Sequence, residues 1–319
     1  MIKYIRQTAV PPPIARQIRR DFGALVDPFV CHAPVPDLLP GVWMATRETT
    51  LCGHVPRGVK ETVATAVSQL NQCPYCTDAH SIMLRAAHVD ESTPKTQRMM
   101  AWAKATRSPD NPILRSPPFA AEDVPEMVGT AVLYHYINRM ADIFLAESPL
   151  PAHRTPLKSV MAWFAGRFFS RAVRRPKTAG ASLSLLPAAE LPPDMNWAQS
   201  SPVVAEAFGR WTAVVEAAGQ QTLSEAVRAL VQQHIANWRG NAMPLSRSWV
   251  EEAISPLTEA DKAAGRLALL AAFAPFQVDD KMVAPFRARH PGDAQLVAVT
   301  AWASFTAARY VGGWLLPQQ

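Results

Sequence analysis

The sequence predicts an all-α chain made of two tandem helical units, the second a degenerate copy of the first. Apolar residues recur at helical spacing along most of the chain, as in Val59, Val63, Val67 and Leu70, in Val203, Ala207, Trp211 and Val214, and in Leu267, Leu270 and Ala271. Runs that alternate with period two, the mark of strands, are scarce. The chain also repeats itself. Shifted by 168 positions, Trp43 meets Trp211, Val59 meets Val227, Val63 meets Val231 and Arg98 meets Arg266. After a slip of two residues, Asp123 meets Asp293, Thr130 and Ala131 meet Thr300 and Ala301, and Arg139 meets Arg309.

With 319 residues, 49% hydrophobic and 18% charged, the chain can bury a proper core and is not disordered by composition. Its 29 prolines cluster between the periodic segments, at 11–13, 33–40, 109–118, 149–156, 187–202 and 285–291, where they stop helices and stiffen loops. These breaks give three parts. Residues 1–150 form the first unit with an N-terminal extension, 151–200 a connector with a basic-aromatic helix, and 201–319 a repeat without cysteines. Under the shift, Glu61, Cys73, Cys76 and His80 correspond to Ala229, Asn241, Pro244 and Ser248. One unit keeps every reactive group, and the other is expected to be retained for its shape.

The net charge of +6 is partly local, since Arg167, Arg171, Arg174, Arg175 and Lys177 lie close together. No block of five consecutive cations and no zinc-finger or RNA-binding signature occurs, so nucleic acid is not an expected partner. The most nearly membrane-like stretch, Leu157 to Phe169, is interrupted by Lys158 and Arg167, and stable membrane insertion is not expected. Trp163, Phe164, Phe168 and Phe169 are expected to pack on the chain itself or on a neighbouring subunit rather than on a membrane surface. The start, Met1-Ile2-Lys3-Tyr4-Ile5-Arg6, lacks the apolar run of a secretory signal, so a cytoplasmic location is expected. In a reducing compartment a close cysteine pair reads as catalytic or metal-binding rather than as a structural disulfide.

The chemistry concentrates between residues 61 and 80. Val59 to Leu70 reads as an amphipathic helix, Asn71 as its terminator, and Pro74 as the first residue of a new helix, where its missing N–H costs nothing. That makes Cys73 the N-cap and puts Cys76 in the first turn, where unpaired N–H groups and the positive end of the helix dipole favour a thiolate. Spacings of three and four residues align Cys73, Cys76 and His80 on one face, and the imidazole is positioned to take the Cys76 proton. On one continuous helix Glu61 would be about 18 Å from Cys73. A reversal at Asn71–Cys73 instead brings it roughly level with, or slightly beyond, His80, in a Glu–His–Cys relay ending in a second cysteine.

These residues resemble a known family. Val59-x-Glu61, Val67-Ser68 before the turn, Cys73-x-x-Cys76 and His80 look like the motif of the alkylhydroperoxidase D-like, or carboxymuconolactone decarboxylase, superfamily. The segment Tyr134-x-Tyr136-x-Asn138-Arg139-x-x-Asp142 is similar to that family as well. The resemblance covers about residues 35–150, and the second unit only as a degenerate repeat. It implies an all-helical fold, frequent homo-oligomers and thiol-dependent peroxidase or disulfide reductase activity without organic cofactor or metal. It further implies Cys76 as the peroxidatic cysteine, Cys73 as the resolving one, His80 as base and Glu61 as its partner. A small-molecule hydroperoxide and an external thiol or protein reductant are the implied partners. Tyr75 stands where the best-studied branch has histidine, and the decarboxylase branch lacks the cysteine pair, so its activity does not carry over.

Other readings of the same residues remain open. Cys73, Cys76 and His80 with Cys52, His54 or His88 would suit a structural zinc in a helical scaffold or partner-binding protein. The pair could also be inert, or a redox sensor without turnover. Cys-Pro-Tyr-Cys resembles a glutaredoxin site, but a helix-period segment stands where that fold needs a strand, and Thr77 excludes a c-type haem attachment. Cys31 and Cys52 read as packing cysteines, His135 as a satisfied core histidine, and Arg139 with Asp142 as an ion pair one helical turn apart.

Overall fold

The structure, a computed structural model, describes residues 2–150 and 157–315. The sequence places the end of a proline-rich break and the start of the connector at 151–156, which lies outside the described residues.

The first unit runs through α1 (Pro12–Asp21), α2 (Asp27–Val30), α3 (Leu38–Thr46), α4 (Arg57–Leu70), α5 (Pro74–Ala86), α6 (Pro94–Ala105) and α7 (Val124–Phe144). The connector contributes α8 (Leu157–Arg174). The second unit runs through α9 (Pro202–Thr222), α10 (Glu225–Ala236), α11 (Ser248–Ala253), α12 (Lys262–Phe273), α13 (Asp280–Arg289) and α14 (Asp293–Gly313). Among the described residues the strand-like pairing is confined to one bridge between Ile2 and Leu145, so the fold is all-α.

The repeat seen in the sequence reappears as helix order. At the same shift α3, α4, α5, α6 and α7 correspond to α9, α10, α11, α12 and α14. Packing then joins like to like, because α3 lies against α9 and α7 against α14. A two-fold dimer makes such contacts between its copies; here both partners belong to one chain. The crossings are close enough to require glycine. A Cβ on Gly41 of α3 would sit 2.7 Å from the Trp211 ring of α9, and one on Gly312 of α14 would sit 2.7 Å from Val132 of α7. One apolar core runs through both units, and in it Tyr136 of α7 meets Trp211 and Phe305 edge-on, at ring-centroid distances of 4.9 and 6.1 Å.

Helix α4 departs from the amphipathic expectation. Every residue from Lys60 to Ser68 is buried, because α5, α6 and α7 pack around it. Its polar residues are accommodated by local bonds: Thr62, Thr65 and Ser68 each donate a hydroxyl to the carbonyl four residues back. Lys60 meets Glu126 at 2.7 Å and also donates to the Cys52 carbonyl. Lys60 and Glu61 are therefore interior charges, each with an opposite partner.

Two segments outside the repeat cover this helix pair. The stretch from Phe22 through α2 packs on α3 and α7 and shares a cavity lining with α5, and α8 packs along α5. Arg47, in a π-helical turn that continues α3, ties the covers down by donating to Asp21, Glu48 and the Thr178 carbonyl. The α8 aromatic residues divide between two faces of the helix. Phe169 reaches inward, whereas Trp163, Phe164 and Phe168 are more than half exposed, since they lie on the helix face turned away from α5.

Candidate active site

The reversal between α4 and α5 is a helix C-cap fused to an N-cap. Asn71 is the C-cap of α4, and Gln72 takes the left-handed conformation with φ +56°. Cys73 N–H then donates to Ser68 O at 3.0 Å and Gln72 N–H to Gln69 O at 3.1 Å, the paired bonds of a Schellman ending. Cys73 immediately becomes the extended N-cap of α5, with Pro74 in the first helical position. Side chains of α7 brace the turn. Asn71 donates to Asn138 Oδ1 at 2.9 Å, and Asn138 donates to Ser68 Oγ at 3.0 Å.

This geometry brings Glu61 and His80 together. His80 Nδ1 and Glu61 Oε2 are 2.7 Å apart, and both side chains are buried. Arg57, one turn before Glu61, donates from Nε to its other oxygen at 2.6 Å. Burial by itself would raise the Glu61 carboxyl; the Arg57 charge and the bond to His80 outweigh it and hold the group down at about 2. Glu61 is therefore a permanent carboxylate. It occupies Nδ1 of His80; Cys76 lies one helical turn earlier in α5 and lines the same cavity as the imidazole. Tyr134 of α7 packs edge-on against the imidazole with centroids 4.4 Å apart, which fixes the plane of the ring.

The two cysteines have different surroundings. Cys76, together with His80 and Tyr134, lines a cavity of about 360 Å³. Its other walls are largely apolar, and Phe22, Val26 and Phe29 of the N-terminal arm, Ile82 and Met83 of α5 and Phe169 of α8 contribute to them. Cys73 lies behind Cys76, fully buried and outside that lining. Burial raises its thiol well above the ordinary value, and the neighbouring Cys76 and Asp142 act in the same direction. One sulfur faces the cavity, and the other stays protonated behind it.

Several expectations about neighbouring residues are settled by their contacts. Cys31 and Cys52 are buried packing thiols, the latter raised to about 11 by burial and then by Glu48. His135 is a core histidine bonded to Thr106 at 2.9 Å and Asn71 at 3.2 Å, and burial followed by Arg139 and Arg107 keeps it neutral. The expected Arg139–Asp142 ion pair is replaced by other contacts. Arg139 donates to the Ala272 and His135 carbonyls, while Asp142 interacts with the Cys73 thiol. Among the described residues, four ligand atoms for a zinc staple are not gathered at the cysteines. Among the described residues, the convergent group of His, Asp and Glu is the surface cluster His54, Glu122 and Asp123.

Arg57, Tyr134 and the covering arm were absent from the relay read in the sequence. Arg57 was the accessible one, since a cation four residues before Glu61 shares its helix face. The cover depends on tertiary packing that leaves no local signal.

Comparison with known proteins identifies the family. The carboxymuconolactone decarboxylase family matches residues 38–106, from the start of α3 to the C-cap of α6, and so includes the whole α4–α5 hairpin. A protein named alkyl hydroperoxide reductase, from Mycobacterium tuberculosis, is 36% identical over 311 residues, 94% of this chain and 89% of that one. The similarity thus extends through both units. The chain belongs to the alkylhydroperoxidase D-like, or carboxymuconolactone decarboxylase, superfamily.

Proposed function

We propose that this protein is a thiol-dependent peroxidase that reduces organic hydroperoxides through Cys76 and Cys73. The observation that carries the reading is the Glu61–His80 pair, 2.7 Å apart, beside a Cys76 that opens onto an apolar cavity while Cys73 waits behind it. The name of the relative, alkyl hydroperoxide reductase, supports the same reaction class.

In this reading His80 takes the Cys76 proton, and Glu61 stabilises the imidazolium that forms. The thiolate attacks the terminal peroxide oxygen and the O–O bond breaks. The proton returns to the departing alkoxide, leaving an alcohol and a Cys76 sulfenic acid. Cys73 then displaces water from that sulfur to form the disulfide, and an external thiol or protein reductant supplies two electrons and two protons to restore both thiols. The apolar walls favour a hydroperoxide with a hydrocarbon body. The second unit is retained, in this account, for shape.

Peroxide consumption with a dithiol reductant tests the assignment. Cys76→Ser is expected to abolish it, and Cys73→Ser to stop after one turnover with a sulfenate on Cys76. Full turnover by Cys76→Ser would refute the reading.

A further inference from the structure

Asp142 is a carboxyl that interacts with the resolving sulfur, and the relay described above does not use it. It lies near the end of α7, and its side chain interacts with the Cys73 thiol. Arg139, the cation nearest in sequence, is engaged with backbone carbonyls instead. Asp142 also lines a second cavity, of about 400 Å³, which shares no lining residue with the one at Cys76. Asn71 and Gln72 of the active-site turn form one wall of it, and Trp238 and Asn241 of the second unit form the opposite wall. Exposed Gln72, Leu245 and Phe276 mark its mouth, so it opens to solvent.

We propose that Asp142 is the base of the resolving step, taking the Cys73 proton and releasing it to solvent through this second cavity. The proposal rests on the dithiol reading above and adds a residue and a route to it. Cys73 cannot use His80 for this purpose, because His80 faces the opposite cavity and must protonate the oxygen that leaves Cys76. The step balances. The Cys73 S–H proton moves to the Asp142 carboxylate and on to solvent, the new S–S bond forms as the Cys76 S–O bond breaks, and the departing hydroxide leaves as water with a proton that His80, neutral after protonating the alkoxide, has taken up again from solvent. Burial raises the Asp142 carboxyl to about 7, against smaller downward effects of Cys73, Arg139 and Lys3. A base of that strength is half ionised near neutrality, which suits general base catalysis. The charged groups around it are Arg139 on its own helix, Lys3 on the N-terminal arm and Arg107 across the cavity, with the Cys73 thiol as the titratable neighbour. The second unit acquires a chemical purpose here, since its residues complete the chamber through which the proton leaves.

The test separates the two thiol steps with an aromatic disulfide, 2,2′-dithiodipyridine, followed by acid quenching and mass spectrometry of the peptide holding Cys73 and Cys76. The first phase is a mixed disulfide on Cys76, and the second is its displacement by Cys73. In Asp142→Asn the first phase is expected within about twofold of wild type, which also checks folding, while the second slows at least ~10-fold. Asp142→Glu should recover most of the second phase. In the wild type the second-phase rate should rise with pH and bend near 7. An unchanged second phase in Asp142→Asn, or a wild-type profile without that bend, would overturn the proposal. A parallel pulse of cumene hydroperoxide tests the peroxidase reading separately. Thiols that ignore it while still resolving the pyridyl adduct would count against that reading alone.

Discussion

The α4–α5 hairpin of the first unit and its counterpart, α10–α11, begin from the same helical pattern and end in different environments. Glu61, Cys73, Cys76 and His80 are buried, whereas Ala229, Asn241, Pro244 and Ser248 at the matching positions are exposed. Helix α4 is enclosed along Lys60–Ser68; α10 buries only Val227, Val231 and Ile235 and leaves its other face to solvent. The difference comes from the covers. The N-terminal arm and α8 close over the first hairpin and create the cavity, and α11 is a six-residue helix where α5 has thirteen. In the proposed reaction burial is what counts, because it strengthens the Arg57–Glu61–His80 electrostatics and separates the two thiols. An open hairpin would screen the same charges and leave the Glu61 carboxyl nearer its ordinary value. The reactive residues and the covering segments form one device.

The comparison can be broken first at the buried charge. Glu61→Gln keeps the shape but removes the negative partner of His80, and the rate of Cys76 oxidation by hydroperoxide should fall ~100-fold in stopped-flow measurements. The same variant has a stability signature. The Glu61 carboxyl sits at about 2 when folded against 4.5 ordinarily, so its contribution is present above 4.5 and disappears as pH falls through about 2. Wild type should therefore lose on the order of 3 kcal/mol more than Glu61→Gln over that acid window in denaturant titrations. Equal acid sensitivity of the two proteins would mean that Glu61 is not held as a carboxylate.

A smaller effect is expected at the cover. Phe169→Ala removes part of the α8 wall, and the preference for cumene hydroperoxide over hydrogen peroxide should drop several-fold, by an amount in line with about 1–2 kcal/mol of lost apolar contact. A uniform loss on both substrates would assign Phe169 to folding rather than to the cavity. The smallest effect is expected in the open copy. Ser248→Ala, at the counterpart of His80, should leave peroxide turnover unchanged and stability within about 0.5 kcal/mol.

The sequence made the hairpin legible because the signals there are local. Pro74 announced the first turn of α5, Asn71 the end of α4, and the fixed spacings of Cys73, Cys76 and His80 did the rest. Glu61 required one further inference, the reversal of direction, and the Schellman bonds from Gln72 and Cys73 supply it. Burial was less legible. The amphipathic pattern of Val59 to Leu70 implied a solvated face on α4, yet Glu126, sixty-six residues away in sequence, neutralises Lys60 inside the protein. Asp142 looked like the partner of Arg139 because i, i+3 spacing favours such pairs. Its actual neighbour, Cys73, is fixed by the packing of α7 against the turn. The apolar residues of the N-terminal arm and α8 carry no mark that distinguishes a cavity wall from ordinary core.

The central claim, that a buried carboxylate–imidazole pair drives Cys76 while Cys73 resolves, is tested most directly on the peptide that holds both cysteines. After a stoichiometric pulse of cumene hydroperoxide, mass spectrometry should find that peptide as an internal disulfide in wild type and as a Cys76 sulfenate in Cys73→Ser. Free thiols at both positions after the pulse, or oxidation confined to Cys31 or Cys52, would contradict the account.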